Sequence, residues 1–206
     1  CGAVNVSSLC KKVVEEKADI GFAFDGDGDR LIVVDDNGNE IDGDKIIALF
    51  AKYLNNKNKT NLKFPVITTV MSNLGLENFL LKNLGIKLKR SAVGDINVIE
   101  EMKKNKSFLG GEQSGHIILS DFSKTGDGIL AALKITEIIS IIKKSTSSIF
   151  DLYDNFPQIK INIPYIKISE KIKKNLKDLN KKNSKDEKNR VLIRFSGTEP
   201  LVRLLV

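Results

Sequence analysis

Two hydrophobic periods share this chain, and they take turns. ADIGFAF (18–24) is an apolar run of strand length, and LIVV (31–34) is a second one. Asn37-Gly38 follows as a hairpin signal, so the chain should turn back on itself after Asn39. DGDKIIALFAKYL (42–54) then repeats apolar residues at helical spacing behind an acidic cap. From there strand and helix alternate: FPVITTV (64–70), NLGLENFLLKNL (73–84), IKLKRSAV (86–93), INVIEEMKK (96–104). SFLGGE and HIILS bracket a glycine-rich turn, and GILAALKITEIISIIKK (128–144) reads as a long helix. Ahead of all this, Ser7 and Ser8 are expected to cap a helix over 9–17 with Val13 and Val14 facing inward.

Such alternation predicts an α/β layered domain with a mixed, largely parallel sheet. STSS (145–148) reads as a linker. Beyond it the pattern changes to a strand near 158–165, a lysine-rich helix near 168–182, and strands at VLIRFS and LVRLLV. That tail predicts a small separate α+β unit.

Composition adds two points. The formal charge is +7, but it comes from 28 lysines against 5 arginines, accompanied by 18 asparagines. This bias is that of AT-rich coding sequence, and the lysines are scattered or interrupted by acids, so no nucleic-acid surface is expected. Against such a bias each arginine is informative, because only Arg offers a planar fork for oxyanions. Cys1 and Cys10 make neither a disulfide framework nor a zinc site. No signal peptide is visible, and the most apolar stretch, 129–142, carries Lys134 and Glu137 and falls short of the ~20 residues of a membrane span. The expectation is a cytoplasmic protein with no membrane partner.

Three clusters carry chemistry. In AFDGDGDR (23–30), Asp25, Asp27 and Asp29 alternate with glycine, and Arg30 closes the series. An EF-hand loop would need glycine at its sixth position and glutamate at its twelfth, where Arg30 and Asp36 stand. A solvated acidic turn would leave three carboxylates repelling one another. Glycines at 26 and 28 instead allow all three to point at one Mg²⁺ ion, with positions left open for a phosphate. In GGEQSGH (110–116), glycines keep the loop open while Glu112 and Ser114 could share neighbouring sugar hydroxyls; His116, the only histidine, reads alone as a hydrogen-bonded structural residue. In RFSGTEP (194–200), Arg194, Ser196, Gly197 and Thr198, with Arg203 beyond, make a phosphate cradle.

In this order the three motifs closely resemble the α-D-phosphohexomutase superfamily, whose members move a phosphoryl group between the C1 and C6 hydroxyls of a hexose. GEQSGH, TTVMSNLGLE (68–77) and AVGD (92–95) are most similar to the bacterial branch acting on glucosamine phosphates. The resemblance implies interconversion of glucosamine 6-phosphate and glucosamine 1-phosphate through an enzyme phosphoserine and a bisphosphorylated sugar. It makes Asp25, Asp27 and Asp29 the Mg²⁺ ligands, Arg30 an active-site arginine, and Glu112 and Ser114 the sugar contacts. Arg194, Ser196, Gly197, Thr198 and Arg203 become the phosphate site. The mannose- and glucose-phosphate branches, or a non-catalytic remnant that only binds metal or sugar phosphate, are the alternatives.

Two departures qualify the match. The family's phosphoserine lies in a Ser-His-Asn-Pro segment well ahead of the metal loop, and these 206 residues contain none. Ile96 follows AVGD where Arg is common. The chain therefore reads as a fragment: the end of domain two (1–39), domain three (40–147) and a truncated domain four (148–206). Its partners would be a phosphorylated amino sugar and the N-terminal domains of the same polypeptide, with a homodimer allowed. Alone it is expected to be inactive.

Overall fold

The first helix, α1 (Ser7–Glu16), buries Val13 and leaves Val14 exposed. It starts earlier than the sequence suggests: Val6 occupies the cap position without a side-chain bond, and Ser7 and Ser8 lie inside the first turn. A left-handed Lys17 ends it, and the chain enters β1 (Ile20–Phe24). The computed structural model describes residues 3, 5–57, 64–183, 191–196 and 200–206.

Strand β1 pairs antiparallel with β2 (Leu31–Asp35), Phe24 opposite Leu31, and β2 pairs with β3 (Glu40–Ile41). Asn37-Gly38 forms the tip, with Gly38 at a φ of 79°. All five residues of β2 are buried; the apolar run Leu31–Val34 requires it, and the Asp35 carboxylate accepts from the Asn37 and Asn39 N–H groups. Ile32 and Val34 meet Val13 under α1, whereas Leu31 and Val33 join the main core.

A four-stranded sheet and its helices follow: α2 (Gly43–Lys57), β4 (Val66–Thr69), α3 (Leu74–Leu84), β5 (Leu88–Ser91), α4 (Asp95–Asn105), β6 (Leu109–Gly111), β7 (Ile117–Leu119) and α5 (Gly128–Ile142). Their sheet has the order β5-β4-β6-β7; β4 runs parallel to both neighbours and β7 antiparallel to β6. The sheet is mixed, as expected. Alternation along β4 divides its faces: Val66 joins Ile46, Leu76, Leu80 and Ile135, while Ile67 joins Val98, Met102 and Ile118 of the α4 side. The parallel strands β4, β5 and β6 end together at Thr69, Ser91 and Gly111. Open α/β sheets bind ligands at that edge.

The expected linker at Ser145–Ser148 is instead the start of a helix, α6 (Thr146–Phe150). Thr146 is buried, and Ile149 and Phe150 enter the main core. The physical reason is a tertiary cap: the Asp36 carboxylate accepts from the Ser147 N–H, and the Thr146 hydroxyl donates to the Asp19 carbonyl. The compact unit accordingly runs to Asn155.

A second unit spans Phe156–Val206. Its strands β8 (Lys160–Pro164), β9 (Leu192–Phe195) and β10 (Leu201–Leu205) form an antiparallel sheet of order β8-β10-β9, joined by α7 (Glu170–Asn183). Val202 and Leu205 are buried, and Tyr165 meets Phe195 edge to face. This is a small α+β unit. Among the described residues no helix is long and apolar enough to cross a membrane.

Candidate active site

The loop between β1 and β2 carries the three aspartates. Gly28 takes a φ of 74° and donates its N–H to the Asp25 carbonyl, closing a turn that non-glycine residues resist. One oxygen from each of Asp25, Asp27 and Asp29 lies within 4.8 Å of the others. Arg30 holds Asp25 twice, through its backbone N–H to Oδ1 at 3.1 Å and its Nε to Oδ2. Burial pushes the Asp25 carboxyl up, but the bonds from Arg30 together outweigh it and hold the pKa at about 2. Burial raises Asp29, and the neighbouring Asp25 adds to that.

The site suits a divalent cation by its own chemistry. All its donors are hard carboxylate oxygens, the set Mg²⁺ prefers. Asp29 Oδ1 is buried and has no hydrogen-bond partner among the described residues; Arg30 Nε stands 3.7 Å away. A buried carboxylate oxygen left in that condition is costly unless a cation meets it.

The turn between β6 and β7 lies against this loop. Leu31 donates to the Gly115 carbonyl at 3.0 Å, and Arg30 and His116 form an isolated antiparallel bridge. The turn is closed by Gly115 N–H to the Glu112 carbonyl, with Gly115 at a φ of 94°. Glu112 Oε1 accepts from the Gly94 N–H at 3.0 Å, which ties the AVGD segment to the same edge of the sheet. Ser114 is exposed on the turn. His116 is buried and hydrogen-bonded, as expected, and its Nδ1 lies 3.1 Å from Asp29 Oδ2. Ile96, in the first turn of α4, is exposed.

Beneath the turn is a polar cluster that the sequence did not single out. Gly43 donates to the Gln113 carbonyl, and Gln113 Nε2 donates to Asp42 Oδ2 at 3.2 Å. Asp44 is fully buried and accepts from the Asn73 N–H at 2.7 Å. Burial first, and the nearby Asp42 carboxylate second, raise its pKa to about 6. Lys45 donates to the Tyr153 carbonyl and sits over its ring, fastening the end of the first unit to α2. The run DGDK signals only a helix start; that Asp44 is buried and Asp42 half-buried depends on contacts remote in sequence.

In the second unit Arg194 and Arg203 stand directly opposite each other on β9 and β10. The Ser196 N–H donates to the Leu201 carbonyl. Gly197 and Thr198, expected in the phosphate loop, lie outside the described residues.

The three-aspartate loop, the glycine-rich turn and the layered domain lie in one compact unit. Residues 42–156 match the phosphoglucomutase/phosphomannomutase alpha/beta/alpha domain III, and residues 159–206 match the C-terminal domain of the same family. The chain belongs to the phosphoglucomutase/phosphomannomutase family. At the level of individual proteins, it is 46% identical over 210 residues to the phosphoglucosamine mutase of Campylobacter jejuni strain RM1221 and 47% to that of Nautilia profundicola. Each match covers the whole chain but 46% of the relative, so the chain spans about half the length of the curated relatives it matches. A phosphoglucomutase/phosphomannomutase family protein from Burkholderia thailandensis superposes with a TM-score of 0.80 at 25% identity, over 98% of this chain and 45% of that one. An Aspergillus fumigatus N-acetylphosphoglucosamine mutase, solved with GlcNAc-6P and magnesium, shares the fold with a TM-score of 0.73 at 18% identity. That match covers all of this chain and 52% of the other.

Proposed function

We propose that this chain is the metal- and sugar-binding part of a phosphoglucosamine mutase, which interconverts glucosamine 6-phosphate and glucosamine 1-phosphate. The observation that carries the reading is the hydrogen bond from His116 to Asp29, which joins the three-aspartate loop to the turn bearing Glu112 and Ser114. In this reading phosphoryl chemistry and sugar recognition meet where the turn between β6 and β7 touches the loop between β1 and β2. In this reading residues 1–39 end domain two, 40–147 form domain three, and 148–206 belong to domain four of a longer cytoplasmic polypeptide.

Asp25, Asp27 and Asp29 would hold Mg²⁺, which when bound neutralises charge on the transferring phosphoryl group. Arg30, fixed by Asp25, adds a guanidinium beside that group. Glu112 and Ser114 orient the hexose through its hydroxyls. Arg194 and Arg203, paired across β9 and β10, would each offer a guanidinium fork suited to a phosphate. With Ser196, Gly197 and Thr198 they would grip the substrate's non-reacting phosphate. The phosphoryl donor would be a serine in a Ser-His-Asn-Pro segment of the longer polypeptide, so the 206 residues alone should not turn over.

Assaying the full-length gene product on glucosamine, mannose and glucose phosphates tests the reading. The highest kcat/KM is expected on glucosamine 1-phosphate; a strong preference for mannose 1-phosphate would overturn it. Turnover by the 206-residue chain alone would overturn the assignment of the nucleophile.

A further inference from the structure

Three successive backbone N–H groups, at Gly126, Asp127 and Gly128, point at three different parts of the site. Gly126 donates to His116 Nε2 at 3.2 Å, Asp127 to the Ile117 carbonyl at 3.3 Å, and Gly128 to the Gly28 carbonyl at 2.9 Å. The segment therefore holds the metal loop by its backbone at Gly28, and by a side chain through His116. Both glycines are required by contact. A Cβ on Gly126 would lie 2.7 Å from His116 Cδ2, and one on Gly128 would lie 2.8 Å from the Arg30 carbonyl oxygen.

The Gly126 bond also decides how His116 can act. An N–H can only donate, so Nε2 is the acceptor and the ring proton sits on Nδ1. Nδ1 then donates to Asp29 Oδ2. With Oδ2 engaged, Oδ1 is the Asp29 oxygen left without a hydrogen bond among the described residues. Burial of His116 keeps water from competing for either ring nitrogen.

We propose that Gly126-Asp127-Gly128 and His116 form a positioning bracket, which fixes the tautomer of His116 so that Asp29 presents Oδ1 to the cation. His116 is on this account a positioning residue. The inference rests on the metal reading above.

The test is Mn²⁺ affinity of the full-length polypeptide, read from the free-ion electron paramagnetic resonance signal, with circular dichroism on every variant. In H116N the amide nitrogen falls near the place of Nδ1 and can still donate to Asp29. In H116Q the amide reaches toward the place of Nε2, and the donor to Asp29 is lost. We expect H116Q to weaken Mn²⁺ binding by about 10- to 100-fold and H116N to stay near wild type, the range seen when an outer-shell partner of a ligand is removed. D27N separates the two ideas. If D27N binds Mn²⁺ as wild type does, the metal reading fails; if D27N weakens binding while H116N and H116Q behave alike, the bracket fails. Unfolding of both His116 variants would also overturn it, by making His116 a core residue with no separate hold on the metal loop.

Discussion

The Asp36 carboxylate caps the helix that begins at Thr146, accepting from the Ser147 N–H at 2.6 Å across 111 positions of sequence. The same oxygen lies 2.9 Å from the Thr146 hydroxyl, and the Asp36 N–H donates back to that hydroxyl. Replacing D36 by alanine should cost about 1–2 kcal/mol, the usual loss for a helix cap. The Ser147 N–H is the leading reason that the Asp36 pKa lies below its ordinary 3.8. A depressed carboxylate stabilises the fold above its unfolded pKa, and loses that contribution as pH falls through the folded value. The stability gap between wild type and D36A, measured by urea unfolding, should therefore be full at neutral pH and close below about pH 4. A gap that persists unchanged at pH 3 would remove the charge from the explanation.

Asp44 should act with the opposite sign. Its pKa rises from 3.8 to about 6, first because it is buried and then because Asp42 is near. A raised carboxylate favours the fold below its unfolded pKa, and that contribution disappears as pH climbs through the folded value. D44N keeps an acceptor for the Asn73 N–H and abolishes the titration. Relative to wild type, D44N should gain up to about 3 kcal/mol between pH 3.5 and pH 7. Parallel stability profiles for the two proteins across that range would refute the assignment.

These two carboxylates also mark where the sequence stops being legible. Alternating periods locate nearly every strand and helix, because that signal is local: β2 runs Leu-Ile-Val-Val ahead of Asp35 and is buried throughout. That Asp25, Asp27 and Asp29 bring their oxygens together was legible because glycine alternates with them, and the turn between β6 and β7 because Gly115 permits its positive φ. Ser145–Ser148 was misread because the groups that make it helical, Asp36 and Asp19, belong to the other end of the chain. The role of His116 and the use of Gly126 and Gly128 were hidden for the same reason. Neither residue type nor spacing reveals that Asp29 and Gly28 lie within hydrogen-bond reach of a segment about a hundred positions on.

Glu112 serves two partners, and substitution can separate them. Its Oε1 accepts from the Gly94 N–H, and in the proposed function it also accepts from a sugar hydroxyl. E112A removes both contacts, and kcat/KM on glucosamine 1-phosphate should fall about 10- to 100-fold, the size of a charged hydrogen bond. E112Q leaves an acceptor for Gly94, so the AVGD segment keeps its place and only the charge at the sugar is lost. E112Q should therefore fall between wild type and E112A, mainly through KM. Activity of E112Q equal to that of E112A would assign the whole effect to the sugar contact.

Gly43 begins α2 where the turn bearing Glu112 and Ser114 touches it. Its N–H donates to the Gln113 carbonyl at 3.0 Å. A Cβ there would collide with the Glu112 carbonyl oxygen and lie 2.8 Å from the Gly115 nitrogen. Each of those atoms is backbone, so none can rotate away, and the turn from Glu112 to Gly115 would have to lift from its seat. G43A should cost about 1–3 kcal/mol, the range for an overfilled site. It should also raise KM, because the displaced turn carries Glu112 and Ser114. Gly26 is the control: a Cβ there meets nothing within 4 Å, so G26A should leave stability within about 0.5 kcal/mol of wild type. Thermal unfolding of the two variants side by side decides the point. If G43A melts with wild type, the close approach of α2 to the turn does not constrain the site.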